Sequence, residues 1–202
     1  MTWALAVAAY LTGAFPTSFL MARVVRGIDL RQHGSGNLGA TNAFRVLGWR
    51  AATPIFIVDI GKGWFPVFAF PRWDGSPATE WALAYGAAAI VGHVFSIYVG
   101  FRGGKGVATG AGAFLGLAPV AVLAAFGVWA ILVFSTGYVS LASVAAALTV
   151  PVVIRSTLGG GPVFWLSVAL AVFVLYAHRA NLGRLARGEE HRFRRQGAGT
   201  KA

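Results

Sequence analysis

Cysteine does not occur anywhere in the 202 residues. A disulfide framework, a thiolate nucleophile and a thiolate metal site are all excluded. Charge is nearly as scarce. Only 11% of residues are charged, six of them acidic, where a soluble domain averages about 25%. Residues 106–154 contain no Asp, Glu, Lys, Arg or His at all. The chain is 57% hydrophobic with a mean hydropathy of +0.68, so it needs lipid rather than water as its main solvent.

Several catalytic devices are missing too. Four histidines, six carboxylates and no HExxH or other paired-histidine motif argue against a metal site, and no cofactor is implied. The residues five positions beyond the histidines are Leu38, Tyr98, Gly183 and Gln196, so no His-x4-Asp acyltransferase motif is present. Ser35 sits in Gly34-Ser35-Gly36-Asn37 without the GxSxG of a nucleophile elbow. Around Lys105 the Walker pattern fails, because Val99 stands where its first glycine belongs and Gly106 follows the lysine.

What is abundant is apolar sequence in long runs. A bilayer-crossing helix needs about 20 apolar residues. Runs suited to crossing occur at 2–22, 52–71, 80–99 and 160–177, and the uncharged block supplies 106–118, 120–135 and 138–154. Gly116–Pro119 and Ser135–Gly137 mark the turns within that block. The N-terminal run lacks a basic leader and is read as a retained first span. The expected fold is therefore an all-α integral membrane domain over 1–202 with seven transmembrane helices. The 106–118 piece is short enough to be re-entrant.

The net charge of +11 would suggest nucleic acid in a soluble protein. Here the cations sit in short loops beside apolar runs, which fits membrane lipids and anionic substrates, not nucleic acid. Arg23, Arg26, Arg31, Arg45 and Arg50 follow the first span, and Arg102 and Lys105 follow the third. Arg179, Arg184, Arg187, Arg192, Arg194, Arg195 and Lys201 occupy the tail. Positive-inside bias places all of these in the cytoplasm, with Arg72 and Arg155 outside. The N-terminus is then outside and the C-terminus inside, and an odd number of crossings separates Lys105 from Arg155.

Three polar segments fall on that cytoplasmic side. The first, residues 33–42 followed by Arg45, offers closely spaced glycines with Ser35, Asn37, Thr41 and Asn42. Glycine backbone can approach an anion, and Arg45 can grip phosphate oxygens. An ordinary flexible loop would use the same residue types. The second runs from His93 to Arg102, Gly103, Gly104, Lys105, Gly106 and Thr109. It is a cationic, glycine-rich turn that suits phosphoryl oxygens, or one that only sets topology. In the third, His178 and Asn181 share a face if the last helix continues, beside Arg179, Arg184, Arg187 and Glu189. A basic stretch beside lipid would look the same. His93, near the end of its span, is costly there unless it has a function or a partner. Asp59 and Lys62, three residues apart, read as an intramembrane ion pair.

Taken in order, GSGNLGATNAFRVLG (34–48), VDIGKGWFP (58–66), HVFSIYVGFRGGKGVAT (93–109) and HRANLGRLARGEE (178–190) resemble the bacterial acyl-phosphate:glycerol-3-phosphate acyltransferase family. The resemblance covers nearly the whole chain. It implies a seven-span enzyme of the bacterial inner membrane with its active site facing the cytoplasm. Such an enzyme moves a fatty acyl group from acyl-phosphate to the 1-position hydroxyl of glycerol 3-phosphate. Lysophosphatidic acid and inorganic phosphate result, the first acylation of phospholipid synthesis.

Two phosphorylated substrates require two anion sites, and acyl-phosphate is already activated, so neither thiol nor metal is needed. In this reading Ser35, Arg45 and Lys105 hold phosphate, with Asn37, Thr41, Asn42, Arg102 and Thr109 nearby and Gly103, Gly104 and Gly106 shaping the loop. His93, His178 and Asn181 orient or deprotonate the hydroxyl, and Glu189 holds arginines in place. The base is a histidine or a substrate phosphate oxygen, and direct transfer is preferred to an acyl-Ser35 intermediate. A transporter of an organic phosphate and a lipid-binding structural protein are the competing readings.

Overall fold

The structure, a computed structural model, describes residues 2–75 and 79–193, and the regular elements among them are all helical. They are α1 (Thr2–Ala14), α2 (Thr17–Arg26), α3 (Ala40–Leu47), α4 (Trp49–Trp73), α5 (Thr79–Val94), α6 (Val107–Leu117), α7 (Pro119–Thr136), α8 (Val139–Thr157), α9 (Pro162–Ala177) and α10 (Arg179–Ala186). Arg194, Arg195 and Lys201, expected in the basic tail, lie outside the described residues.

Five segments are long and apolar enough to cross a bilayer: Thr2–Arg26, Trp49–Trp73, Thr79–Val99, Pro119–Thr136 and Val139–Thr157. A sixth is obtained if α9 and α10, bent by 53° at His178, count as one. The expected span at 106–118 is only the 11-residue α6. At 1.5 Å per residue it is roughly 16 Å long, about half a hydrocarbon core.

Proline and glycine set most boundaries. Pro16 lacks an amide proton and breaks the first span into α1 and α2. Pro119 and Pro162 open α7 and α9, where a missing N–H costs nothing. Gly27 and Gly137, with φ of 67° and 76°, close α2 and α7 in left-handed conformation. The first span thus runs past residue 22, and Arg23 and Arg26 sit in its last turn rather than in the loop. Within the third crossing segment, Thr79–Val99, α5 ends at Val94, where the backbone N–H groups of Gly103 and Gly104 cap the carbonyls of Val94 and His93.

The helices approach closely through small residues. A Cβ on Gly63 or Gly112 would collide with the backbone of Thr109 or Ile60, which fixes α4 against α6. Gly13 against Ala89 and Gly92 against Tyr10 do the same for α1 and α5. Between them lies a buried ion pair. Lys62 Nζ is 2.9 Å from Asp59 Oδ1 and donates to the Phe15 carbonyl at 3.0 Å, where the first span breaks.

Polar contacts gather at one end of the bundle. Arg31 reaches the Val99 carbonyl at 3.2 Å, Lys105 bonds Asn181, and Ser140 bonds Glu190 at 2.9 Å. The N–H of Phe193 donates to Gly137 at 2.6 Å. The ends of α2, α5, α7 and α9 therefore share one end with the starts of α6, α8 and α10.

Candidate active site

The loop after α2 is built from inside. Asp29 accepts from the Arg31 N–H and receives the Arg31 guanidinium on both carboxylate oxygens, at 3.0 and 2.7 Å. The Arg31 hydrogen bond holds its carboxyl at about 2, against the opposing effect of desolvation. Beyond it, Asn42 is 2% exposed and acts as a staple. Its Oδ1 accepts from the Ser35 N–H at 2.9 Å, and its Nδ2 donates to the His33 and Asn37 carbonyls at 3.0 Å. Gly34, with φ of 62°, has the Asn42 amide where a Cβ would stand. The staple presents Ser35 and leaves the buried Asn37 Oδ1 without a protein partner. The chain then enters α3 with Ala40 and Thr41 at its first turn and Arg45 one turn further.

On the second loop, Gly103 and Gly104 spend their N–H groups on α5, so their backbone is not free for an anion. The His93 ring occupies the space a Cβ on Gly104 would need. His93 is 5% exposed with Nδ1 4.0 Å from Asp59. What this packing delivers is Lys105, followed by Gly106 (φ 78°) and the open N-terminus of α6. Burial lowers Lys105 to about 8. Glu190 opposes this, while Arg184, Arg45 and Arg179 add to it.

The third segment begins at the α9–α10 bend. His178 Nδ1 lies 2.8 Å from the Val174 carbonyl. A carbonyl only accepts, so Nδ1 carries the proton and Nε2 keeps a lone pair. Asn181 bridges two charges, accepting from Lys105 and donating to Glu190 at 2.7 Å. Glu190 also receives Ser140 at 2.9 Å and Arg184 at 2.8 Å. Burial pushes its carboxyl up, but the bonds from Asn181, Ser140 and Arg184 outweigh that and hold it below the ordinary value.

These segments line one cavity of about 1000 Å³. Ser35, Asn37, Thr41, Asn42, Arg45, His93, Lys105, Gly106, His178 and Asn181 are all on its wall, with Asp59, Ser140 and Glu190. Away from this polar end the wall is apolar, formed by α4, α6, α7, α8 and α9. Phe56 of α4 and Leu123 and Phe126 of α7 line the cavity while 40%, 66% and 57% exposed. The trench is therefore open sideways, toward lipid, between α4 and α7.

Some expected positions fall elsewhere. Arg102, Gly103, Gly104 and Thr109 are not on the cavity wall. Arg102 is exposed, the two glycines cap α5, and the Thr109 side chain is fully buried. Glu189 pairs with Arg187 at 2.8 Å on the exposed surface, whereas Glu190, one residue on, holds the buried network. Lys62 is buried behind the wall beside Asp59. Asn42 reaches the wall, but its amide is consumed inside its own loop.

The model of the family described as glycerol-3-phosphate acyltransferase matches residues 3–188. This chain belongs to the glycerol-3-phosphate acyltransferase family. A relative from Chlorobium phaeobacteroides, named glycerol-3-phosphate acyltransferase, is 41% identical, covering 92% of this chain and 93% of its own. Another of that name from Syntrophotalea carbinolica is 43% identical, covering 93% and 95%.

Two crystal structures of PlsY (YgiH), an integral membrane glycerol 3-phosphate acyltransferase, are similar over the whole fold. The glycerol 3-phosphate form has TM-score 0.88 at 34% identity, covering 95% of each chain. The lysophosphatidic acid form has TM-score 0.85 at 32% identity, covering 95% and 94%. This family member is thus a multi-pass membrane protein. Its Ser140 and Glu190 had no signal in the sequence. Ser140 lies within an uncharged run, and Glu189 and Glu190 are adjacent identical residues whose burial only the fold distinguishes.

Proposed function

We propose that this protein transfers a fatty acyl group from acyl-phosphate to the 1-hydroxyl of glycerol 3-phosphate, releasing lysophosphatidic acid and inorganic phosphate. One observation carries the reading: a single cavity joins a cationic, hydroxyl- and amide-lined end to an apolar trench open to lipid. A soluble phosphorylated acceptor and a lipid-tailed phosphorylated donor each match one part of it.

Two anion positions are available. Ser35, Thr41 and Arg45 surround the first turn of α3, and Lys105 stands just before Gly106, the N-cap of α6. Exposed N–H groups and the helix dipole favour phosphate at both. We assign glycerol 3-phosphate to the α3 side, where Ser35, Thr41 and Arg45 face the cavity. The donor phosphate goes to Lys105 and α6.

The acceptor oxygen then attacks the acyl carbonyl, forming the ester C–O bond as the bond from carbonyl carbon to phosphate oxygen breaks. The hydroxyl proton passes to His178 Nε2 or to a substrate phosphate oxygen. Lys105 neutralises the leaving phosphate, which departs as inorganic phosphate. Asn181 positions Lys105, and His93 with Asp59 supports the loop that carries it. Arg102, Thr109 and Glu189 have no direct part. Holding both reactants in one cavity supplies the remaining advantage, and acyl-phosphate needs neither metal nor cofactor.

The same reading places seven helical passes in the bacterial inner membrane, with the site facing the cytoplasm. In support, α6 runs away from the polar end and α7 returns to it, so the short α6 still counts as a pass in direction. Arg31, Arg45, Arg50 and Lys105 cluster at the polar end, and Arg72 and Arg155 lie in the last turns of helices that run away from it.

Purified protein in detergent, given palmitoyl-phosphate and labelled glycerol 3-phosphate, should form labelled lysophosphatidic acid and one phosphate per product. A transporter would give none, since its work needs two compartments. Absence of product from folded protein and intact substrates contradicts the reading.

A further inference from the structure

The apolar trench has a floor. Phe114 of α6, Val122 of α7, Val150 of α8 and Leu170 of α9 line the cavity and also belong to one packed cluster with the fully buried Ile154. Four helices therefore meet across its far end, next to the tight turn at Ala118 where α6 and α7 diverge.

The depth is set by helix geometry. Along α8, Val150 lies ten residues beyond Ser140, which bonds the buried carboxylate at the polar end. At 1.5 Å per residue that is roughly 15 Å. Phe114 lies eight residues beyond Gly106, and Leu170 eight before His178, each roughly 12 Å. Three independent helices thus bring the floor to a similar level.

We propose that this floor measures the donor's acyl chain, with Phe114 as the principal specificity-determining residue. The proposal rests on the acyl-transfer reading above. An acyl group whose carbonyl sits at Lys105 and whose tail follows the trench gains burial with each methylene until the tail meets Phe114. For a donor taken up from water, each buried methylene contributes up to about fourfold, the equivalent of about 0.8 kcal/mol. For one already dissolved in lipid or detergent the gain is much smaller. Beyond the floor the gain stops, and further length must bend or be left in lipid.

Halfway along the same wall, Ala146 of α8 is 9% exposed and leaves the space that a longer side chain would fill. The side opening between α4 and α7 offers the chain another course. A tail leaving through it would never reach Phe114.

The test is kcat/KM of the purified, full-length protein for a saturated acyl-phosphate series of increasing length. With donors kept monomeric in water, wild-type protein should rise by up to about fourfold per methylene and then level or fall. Phe114→Ala and the milder Phe114→Leu should move that break to longer donors. Ala146→Phe should move it to shorter ones while retaining turnover of the shortest. Leu148→Phe, at an exposed position on the same helix, should leave it unchanged. An unbroken rise, or a break that stays fixed in folded Phe114 and Ala146 variants, overturns the ruler while leaving acyl transfer standing. Loss of product with every donor in wild-type protein overturns both.

Discussion

Lys105 must be cationic to hold phosphate, yet its surroundings work against the charge. Burial together with Arg184, Arg45 and Arg179 brings it to about 8, with Glu190 opposing. The cation is present at pH 7 and is lost as pH rises through 8. In the free enzyme kcat/KM should therefore fall above pH 8, by about tenfold per unit once the lysine is mainly neutral. Lys105→Arg should remove this limb, because a guanidinium does not titrate in that range. Glu190→Gln removes the attraction that holds the lysine up, so the limb should move below pH 8. A wild-type profile flat to pH 10 would separate Lys105 from substrate binding.

Of the residues singled out in the sequence, Ser35, Arg45, His93, Lys105, Gly106, His178 and Asn181 lie on the cavity wall, whereas Arg102, Gly103, Gly104 and Thr109 do not. Which neighbour of a pair does the work was not legible. Glu189 and Glu190 differ only in burial, and Asn42 looks like a ligand until its amide is seen to be fully used by its own loop.

Among the elements, α4 does the most to hold the site in place. Its Asp59–Lys62 pair ties the Phe15 break to the wall behind His93. Removing one partner leaves the other charge buried alone. Lys62→Ala should therefore cost about 3–5 kcal/mol, and the double change Asp59→Asn with Lys62→Met much less. Thermal unfolding in detergent checks this, and equal losses in the two proteins would contradict the pairing.

The turns at Gly116–Pro119 and Ser135–Gly137 were readable because proline removes a donor and glycine tolerates left-handed φ, whereas the break at Pro16 and the run of the first span on to Gly27 were not anticipated. The bend at His178 carries neither residue, so it was invisible. The short α6 was anticipated, since the apolar piece at 106–118 becomes Val107–Leu117. An apolar run does not reveal that Gly103 and Gly104, just before it, are spent on capping α5.

For the molecule as a whole, apolar runs and basic loops conveyed an all-helical membrane protein, since lipid permits little else. The convergence of segments 35–45, 105–110 and 178–193 on one cavity is long-range information that periodicity does not carry. It is also the claim on which acyl transfer depends. The chain has no cysteine, so single cysteines can be placed without background.

Arg50→Cys, Arg102→Cys and Arg187→Cys, all at exposed positions at the polar end, and Leu158→Cys, exposed after α8, make a four-point map. Labelling of oriented membranes with an impermeant maleimide should reach the first three only from the cytoplasmic face and Leu158→Cys only from the opposite one. If any of the first three reacts from the face opposite the other two, the shared phosphate site is contradicted.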